Sequence, residues 1–168
     1  MKVGDPKKEG EHIGPVVSEV QYEKIQSLIQ KGIDEGAKLV AGGVGKPEGI
    51  NKGYFVKPTA FADVNNKMEI ARTEIFGPVL SIIPFEDEEE AINIANSTKY
   101  GLASGVFTAD DQKAKWTADR IQAGIIWQND WFVDGKNLPG GGYKRSGYGR
   151  DGGVDLSLIH ISEPTRPY

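Results

Sequence analysis

The sequence contains no cysteine. That excludes a disulfide, a thiolate metal site and a cysteine nucleophile within these 168 residues. Histidine is almost as scarce. His12 and His160 are far apart, so neither a zinc site nor a Ser-His-Asp set can be assembled from them without further ligands. No apolar run approaches the length of a transmembrane helix. "MKVGDPKKEGEH" lacks the apolar stretch of a signal peptide, so neither targeting nor membrane association is expected. Positive charge is in deficit, with a formal net charge of −4, which argues against a nucleic-acid or anionic-membrane partner.

What remains is a soluble globular balance of 38% apolar and 26% charged residues, at a length that suits one domain with a real core. The 22 glycines imply many tight turns and close backbone approaches. Ser18 to Gly36 reads as a helix: Ser18 and Gln21 form a capping-box pattern, and Tyr22, Ile25, Ile29 and Ile33 recur at helical spacing. Leu39 and Val40 mark a short strand, "YFVKPTAFADV" a strand with Pro58 at a sheet edge. Asn65 or Asn66 caps a helical turn through Met68 and Ile70. Val79 to Phe85 reads as a buried strand, and Asp87 to Asn96 as a helix capped by Asp87 and Glu90. "GLASGVFTA" is a strand, Thr108 and Asp111 cap a helix running to Ala123, and "IIWQND" is a further strand. The alternation predicts an α/β fold, a largely parallel sheet with flanking helices. Ligands in such sheets bind at the carboxyl ends of strands, where Asn129 and its following loop lie.

Three stretches invite chemistry. "GGVGKPEG" contains Gly-Lys but lacks the hydroxyl residue a phosphate loop needs for magnesium, and a turn suffices to explain it. The acidic run Glu86 to Glu90 suits the positive end of a helix better than a metal or acid–base site. "GGGYKRSGYGRDGG" sets aromatics and Lys144, Arg145 and Arg150 among glycines, as single-stranded nucleic-acid binders do. It is short and belongs to an acidic chain, and a structured loop explains it better. "TEIFGPVLSIIPF" places Glu74 and Phe76 at the mouth of a strand. Either Glu74 accepts hydrogen bonds from a neighbouring backbone turn, or it holds the hydroxyls of a polar ligand beside Phe76.

That stretch, followed by "ANSTKYGLASGVFTAD", "RIQAGIIWQND" and "GGYKRSGYGRDGG", resembles the aldehyde dehydrogenase superfamily in order and spacing. "GDPKKEGEHIGPVVSEVQYEKIQSLIQKGIDEGAKLVAGG" and "GYFVKPTAFADV" fit the same pattern, so the resemblance covers residues 1–155. It implies the C-terminal portion of a catalytic domain that oxidises an aldehyde to a carboxylic acid with NAD or NADP. In the family a cysteine thiolate attacks the aldehyde, hydride passes to the nicotinamide, and water activated by a glutamate releases the acid. The resemblance assigns the nicotinamide ribose to Glu74 and the nicotinamide end to Phe76. It makes Trp131, Phe132 and Asp134 candidates for the wall of an aldehyde tunnel.

The chain departs from the pattern in three places. Where many members have Pro-Phe-Gly-Gly-Tyr-Lys, it has Pro139-Gly140-Gly141-Gly142-Tyr143-Lys144, so a glycine replaces an aromatic that often touches substrate. The family's nucleophile, general base and dinucleotide-binding fold all precede the matched region. No catalytic residue is therefore assigned here, and the chain alone is expected to be inactive. Leu156 to Tyr168, "LSLIHISEPTRPY", resembles a translated sequencing adapter and is expected to be an artefactual tail. The parent is expected to be a cytoplasmic homo-oligomer. The alternative is a short non-catalytic paralogue that pairs with a full-length subunit.

Overall fold

A computed structural model describes residues 2–10, 12–131 and 138–153. The chain divides into two compact units, Met1–Pro84 and Phe85–Tyr168.

The first unit begins its regular structure with helix α1, Glu19–Asp34. Ser18 is extended and its hydroxyl accepts from the Gln21 amide, satisfying one of the orphan donors of the first turn. Ile25, Leu28 and Ile29 share the buried face, Ile25 and Ile29 with no exposed surface. They meet Val56, Phe61, Val64, Ile70 and Ile75 in one core. Burying a ring such as that of Phe61, which is wholly enclosed, stabilises the fold by about 1.5–3 kcal/mol.

Strands β1 (Lys38–Ala41), β2 (Thr59–Ala62) and β3 (Val79–Ser81) form one sheet in that order. The β1–β2 ladder is antiparallel with an irregularity between Leu39 and Ala41; the β2–β3 ladder is parallel. Helix α2, Glu69–Arg72, lies between β2 and β3 in the chain.

Three sequence expectations change in this unit. Pro58 is not on an edge strand: β2 is the central strand, and Pro58 immediately precedes it, where its missing N–H leaves no ladder position empty. The strand expected over Val79 to Phe85 stops at Ser81, and it is half-buried. Val79 and Ile83 pack on the core, whereas Leu80 is 59% exposed and Ile82 47%. A period of two with one covered face gives this alternation. Asn65 does not cap α2 directly. Its side-chain oxygen accepts from the Lys67 amide in a turn that precedes the helix, and Met68 holds the cap position.

The second unit contains α3 (Glu88–Asn96), β4 (Ala103–Val106), α4 (Asp111–Ala118), β5 (Ile125–Gln128) and a 3-10 turn at Lys144–Ser146. Strands β4 and β5 pair in parallel around α4, a β-α-β unit. Asp87 caps α3 by accepting from the Glu90 amide, and the Glu90 carboxylate in turn accepts from the Glu86 amide, so both residues serve the cap as the sequence pattern predicted. Helix α4 differs from expectation at both ends. Asp110, rather than Thr108 or Asp111, caps it, accepting from the amides of Gln112 and Lys113. It ends at Ala118 because the Asn96 side chain captures the next segment, donating to the Arg120 carbonyl and accepting from the Gln122 amide. The largely parallel character holds as two small sheets, with two of the three strand pairs parallel.

The glycine-rich segment is a tied loop. Gly140 and Asp151 exchange two 2.7 Å backbone bonds. Arg150 donates to the carbonyls of Gly142, Tyr148 and Gly149 and lies over the Tyr143 ring. Lys144 donates to the carbonyls of Asn96 and Thr98 at the end of α3. Lys144 and Arg150 are occupied with backbone oxygens, which favours the structured-loop explanation over a nucleic-acid surface.

Candidate functional site

The turn between α2 and β3 presents Glu74 and Phe76 together. Ile75, between them, is buried in the core and anchors the turn. Phe76 adopts a positive φ of 52°, a left-handed conformation that is unusual for a bulky residue. The consequence is that its ring points outward, 70% exposed, rather than following Ile75 inward. Gly77 follows because nothing larger fits: a β-carbon there would lie 2.6 Å from Ile25 Cδ1 and 2.9 Å from its Cγ1. Pro78 then hands the chain to the sheet through its carbonyl, which accepts from the Thr59 amide at 2.8 Å.

Helix α1 contacts this turn through polar atoms as well. Gln21 Nε2 donates to the carbonyls of Ile75 at 2.8 Å and Phe76 at 3.1 Å. Lys24 Nζ donates to the Glu74 carbonyl at 3.1 Å and stands 5.8 Å from the centre of the Phe76 ring. The capping box anticipated at the start of α1 is therefore only half made. Ser18 accepts from the Gln21 amide, but the Gln21 side chain turns to the distant turn instead of returning to Ser18.

The Glu74 carboxylate has no hydrogen-bond or ion-pair partner among the described residues; only its backbone carbonyl is engaged. Of the two roles open in the sequence, acceptance from a neighbouring backbone turn is not what the side chain does. An exposed carboxylate accepts up to four hydrogen bonds, and the paired hydroxyls of a ribose offer two donors at matching separation. The chemistry of the donor set thus fits a dinucleotide's sugar, with the exposed ring of Phe76 as an adjoining apolar surface.

Trp131 belongs to the second unit. It is 57% exposed, its ring tilted at 51° and 4.8 Å from that of Trp127. It lies against Gly105 of β4, where a β-carbon would come within 3.2 Å of the indole. Asn129, at the end of β5, has φ 53° and clamps the neighbouring strand end. Its side chain accepts from the Thr108 amide and donates to the Thr108 carbonyl, both at 2.8 Å. Phe132 and Asp134 lie outside the described residues, as does the tail from residue 156.

Elsewhere in the second unit Glu88 and Lys113 form an exposed ion pair. The hydrogen bond from Lys113 holds the Glu88 carboxyl below its ordinary value and raises the Lys113 ammonium. Among the described residues no cluster of three or more His, Asp and Glu side chains could hold a metal ion, and no helix is long and apolar enough to cross a membrane. Gln21 and Lys24 are the residues that sequence reasoning missed. Their partners lie 50 or more positions away, and the one local signal, a polar pair at i and i+3 on a helix, is common to solvated faces.

A model of the aldehyde dehydrogenase family matches residues 1–164. A putative aldehyde dehydrogenase of Staphylococcus saprophyticus is 50% identical over 153 residues, covering 91% of this chain and 32% of that protein. The crystal structure of an aldehyde dehydrogenase from Bartonella henselae superposes with a TM-score of 0.88 at 50% identity, covering 91% of this chain and 32% of the other. The Mycobacterium tuberculosis aldehyde dehydrogenase complexed with NAD+ gives a TM-score of 0.88 at 49% identity, covering 93% and 32%. The chain therefore spans about a third of the length of the relatives it matches.

Proposed function

The chain belongs to the aldehyde dehydrogenase family, and from that premise we propose that Glu74 and Phe76 form the nicotinamide-ribose side of an NAD(P) site. The whole protein is then an oxidoreductase that converts an aldehyde to a carboxylic acid. The observation that carries this is the Glu74 carboxylate, exposed and without a partner among the described residues, on a turn whose carbonyls from Glu74 to Pro78 are all bonded.

The dinucleotide supplies the hydride acceptor when bound. The residues of this chain bind and orient. Glu74 accepts from the ribose hydroxyls and so fixes the sugar's rotation. Phe76 offers its ring to the nicotinamide end and keeps water from one side of it. The NAD+ complex of the M. tuberculosis relative supports NAD as the cofactor; NADP presents the same nicotinamide ribose. Trp131 is a candidate for the wall of the aldehyde site, supported by its exposed ring over β4. With no cysteine in its 168 residues, the isolated chain has no thiolate to attack an aldehyde and is expected to be inactive. We assign the parent to the cytoplasm as a homo-oligomer on the same family resemblance.

The test is a chimaera in which residues 2–153 replace the matching third of the B. henselae enzyme. Glu74→Gln in that chimaera should raise KM for NAD by roughly tenfold or more, since a neutral amide is the weaker acceptor for two hydroxyls. Unchanged kinetics with both NAD and NADP would show that Glu74 has no part in the cofactor site.

A further inference from the structure

We infer that Gln21 is a positioning residue for the cofactor turn, presetting Glu74 and Phe76 before any ligand arrives. This rests on the ribose-site reading above. Phe76 sits in a left-handed conformation that a bulky side chain does not hold unaided. Something must over-determine it. Ile75 fixes the turn from below, and Gly77 fits against Ile25. Neither contact constrains the Phe76 peptide planes. Gln21 does, because its single amide nitrogen donates to the two successive carbonyls on either side of the Phe76 N–Cα–C unit, at 2.8 and 3.1 Å. One rigid NH2 group bridging both carbonyls sets their relative rotation, which is the φ and ψ of Phe76 itself. The direction in which the ring leaves the turn, and the spacing from it to Glu74, follow from that rotation.

Gln21 occupies the third helical position after the Ser18 cap, where an acid side chain favours the helix through the cap and the dipole. Gln21→Glu therefore separates two roles. It is isosteric and suits α1, yet it turns both donors into acceptors that face two carbonyls. If Gln21 served only α1, this variant would leave the protein intact or steady it.

The first measurement is amide exchange on the 168-residue chain. In Gln21→Glu the Val79 amide, bonded to the Gly77 carbonyl within the turn, should exchange roughly tenfold faster, while the Ile25 and Leu28 amides of α1 keep their protection. Gln21→Lys retains a donor of similar reach and should recover most of the lost protection at Val79. Unaltered exchange at Val79 overturns the inference, and so does equal acceleration in α1 and the turn. In the chimaera Gln21→Glu should raise KM for NAD roughly tenfold, with kcat at saturating cofactor altered less than about threefold. If Glu74→Gln is silent there, the ribose reading itself fails. If Glu74→Gln raises KM and Gln21→Glu does not, only the positioning role fails.

Discussion

Replacing Gly77 by alanine adds one methyl group at the tight contact between the α2–β3 turn and helix α1. The new carbon would stand 2.6 Å from Ile25 Cδ1, 2.9 Å from Cγ1 and 3.3 Å from Cγ2. Carbon atoms rest at about 3.5–4.0 Å, so roughly 1 Å must be found. Ile25 cannot provide it by swinging outward, because its side chain has no exposed surface and sits among the core residues. The turn cannot easily retreat, because the Pro78 carbonyl is bonded to Thr59 and the carbonyls of Ile75 and Phe76 to Gln21. Overpacking of this kind costs about 1–3 kcal/mol. For a folding unit of this size that corresponds to a fall in Tm of about 2–8 °C per kcal/mol, depending on how much of the chain unfolds together. Urea and thermal denaturation followed by circular dichroism read it directly. The decisive version is a double-mutant cycle. Ile25→Val removes the nearest atom and alone costs about 0.5–1.5 kcal/mol. Combined with Gly77→Ala it should cost less than the sum, with a coupling of about 1 kcal/mol or more. A neutral Gly77→Ala, or a double variant additive within about 0.3 kcal/mol, would refute the steric argument.

Asn129→Ala should destabilise the second unit by about 1–3 kcal/mol, through loss of the two bonds to Thr108 and strain at a positive φ; Asn129→Gly, which relieves the strain alone, should recover only part of that in the same urea titration. The Glu88 carboxyl is held below its ordinary 4.5 by Lys113, so the pair's contribution is present above that value and lost as pH falls through the depressed one. Lys113→Met should therefore narrow the difference between urea midpoints at pH 6 and pH 3, slightly and less in high salt, because both groups are exposed; an unchanged difference at low salt would contradict the assignment. The purified chain, mixed with NAD and a panel of aldehydes, should give no steady rise in absorbance of the reduced nicotinamide, and sustained turnover would show that a nucleophile other than cysteine is at work.

Helix α1 was legible because every signal for it is local. The Ser18 hydroxyl, the spacing of Ile25 and Ile29 and the stop at Gly36 lie within one stretch of chain, and α3 with Asp87 and Glu90 is the same case. Strand β3 was legible in existence but not in exposure. Its apolar run states what Leu80 and Ile82 prefer, while the covered face is decided by helices elsewhere in the chain. The end of α4 was illegible for a related reason. Its sequence continues without a breaker to Gly124, and the Asn96 amide, 24 and 26 residues away, takes the backbone groups that would extend it. The site divides along the same line. Glu74 and Phe76 could be picked out because a motif marks them, but Gln21 could not, since a glutamine near a helix start looks like half of a capping box whatever its side chain reaches.

The Lys144 ammonium satisfies carbonyls 48 and 46 residues upstream, at the close of α3. Gly101 likewise donates to the Ser146 hydroxyl and accepts from the Tyr143 amide. On a ribosome adding about 5–20 residues per second, the end of α3 and the start of β4 wait several seconds for the residues that complete them. During that interval the nascent second unit can hold its β4–α4–β5 crossover, but the carbonyls of Asn96 and Thr98 bond only to water. The first unit waits as long, since Gln21 and Lys24 meet the carbonyls of Glu74, Ile75 and Phe76 only 50–55 residues later, but all of those residues are translated by Pro84. The two units can thus close in the order of their synthesis, and the half that bears Glu74 and Phe76 can finish while the other is still being made.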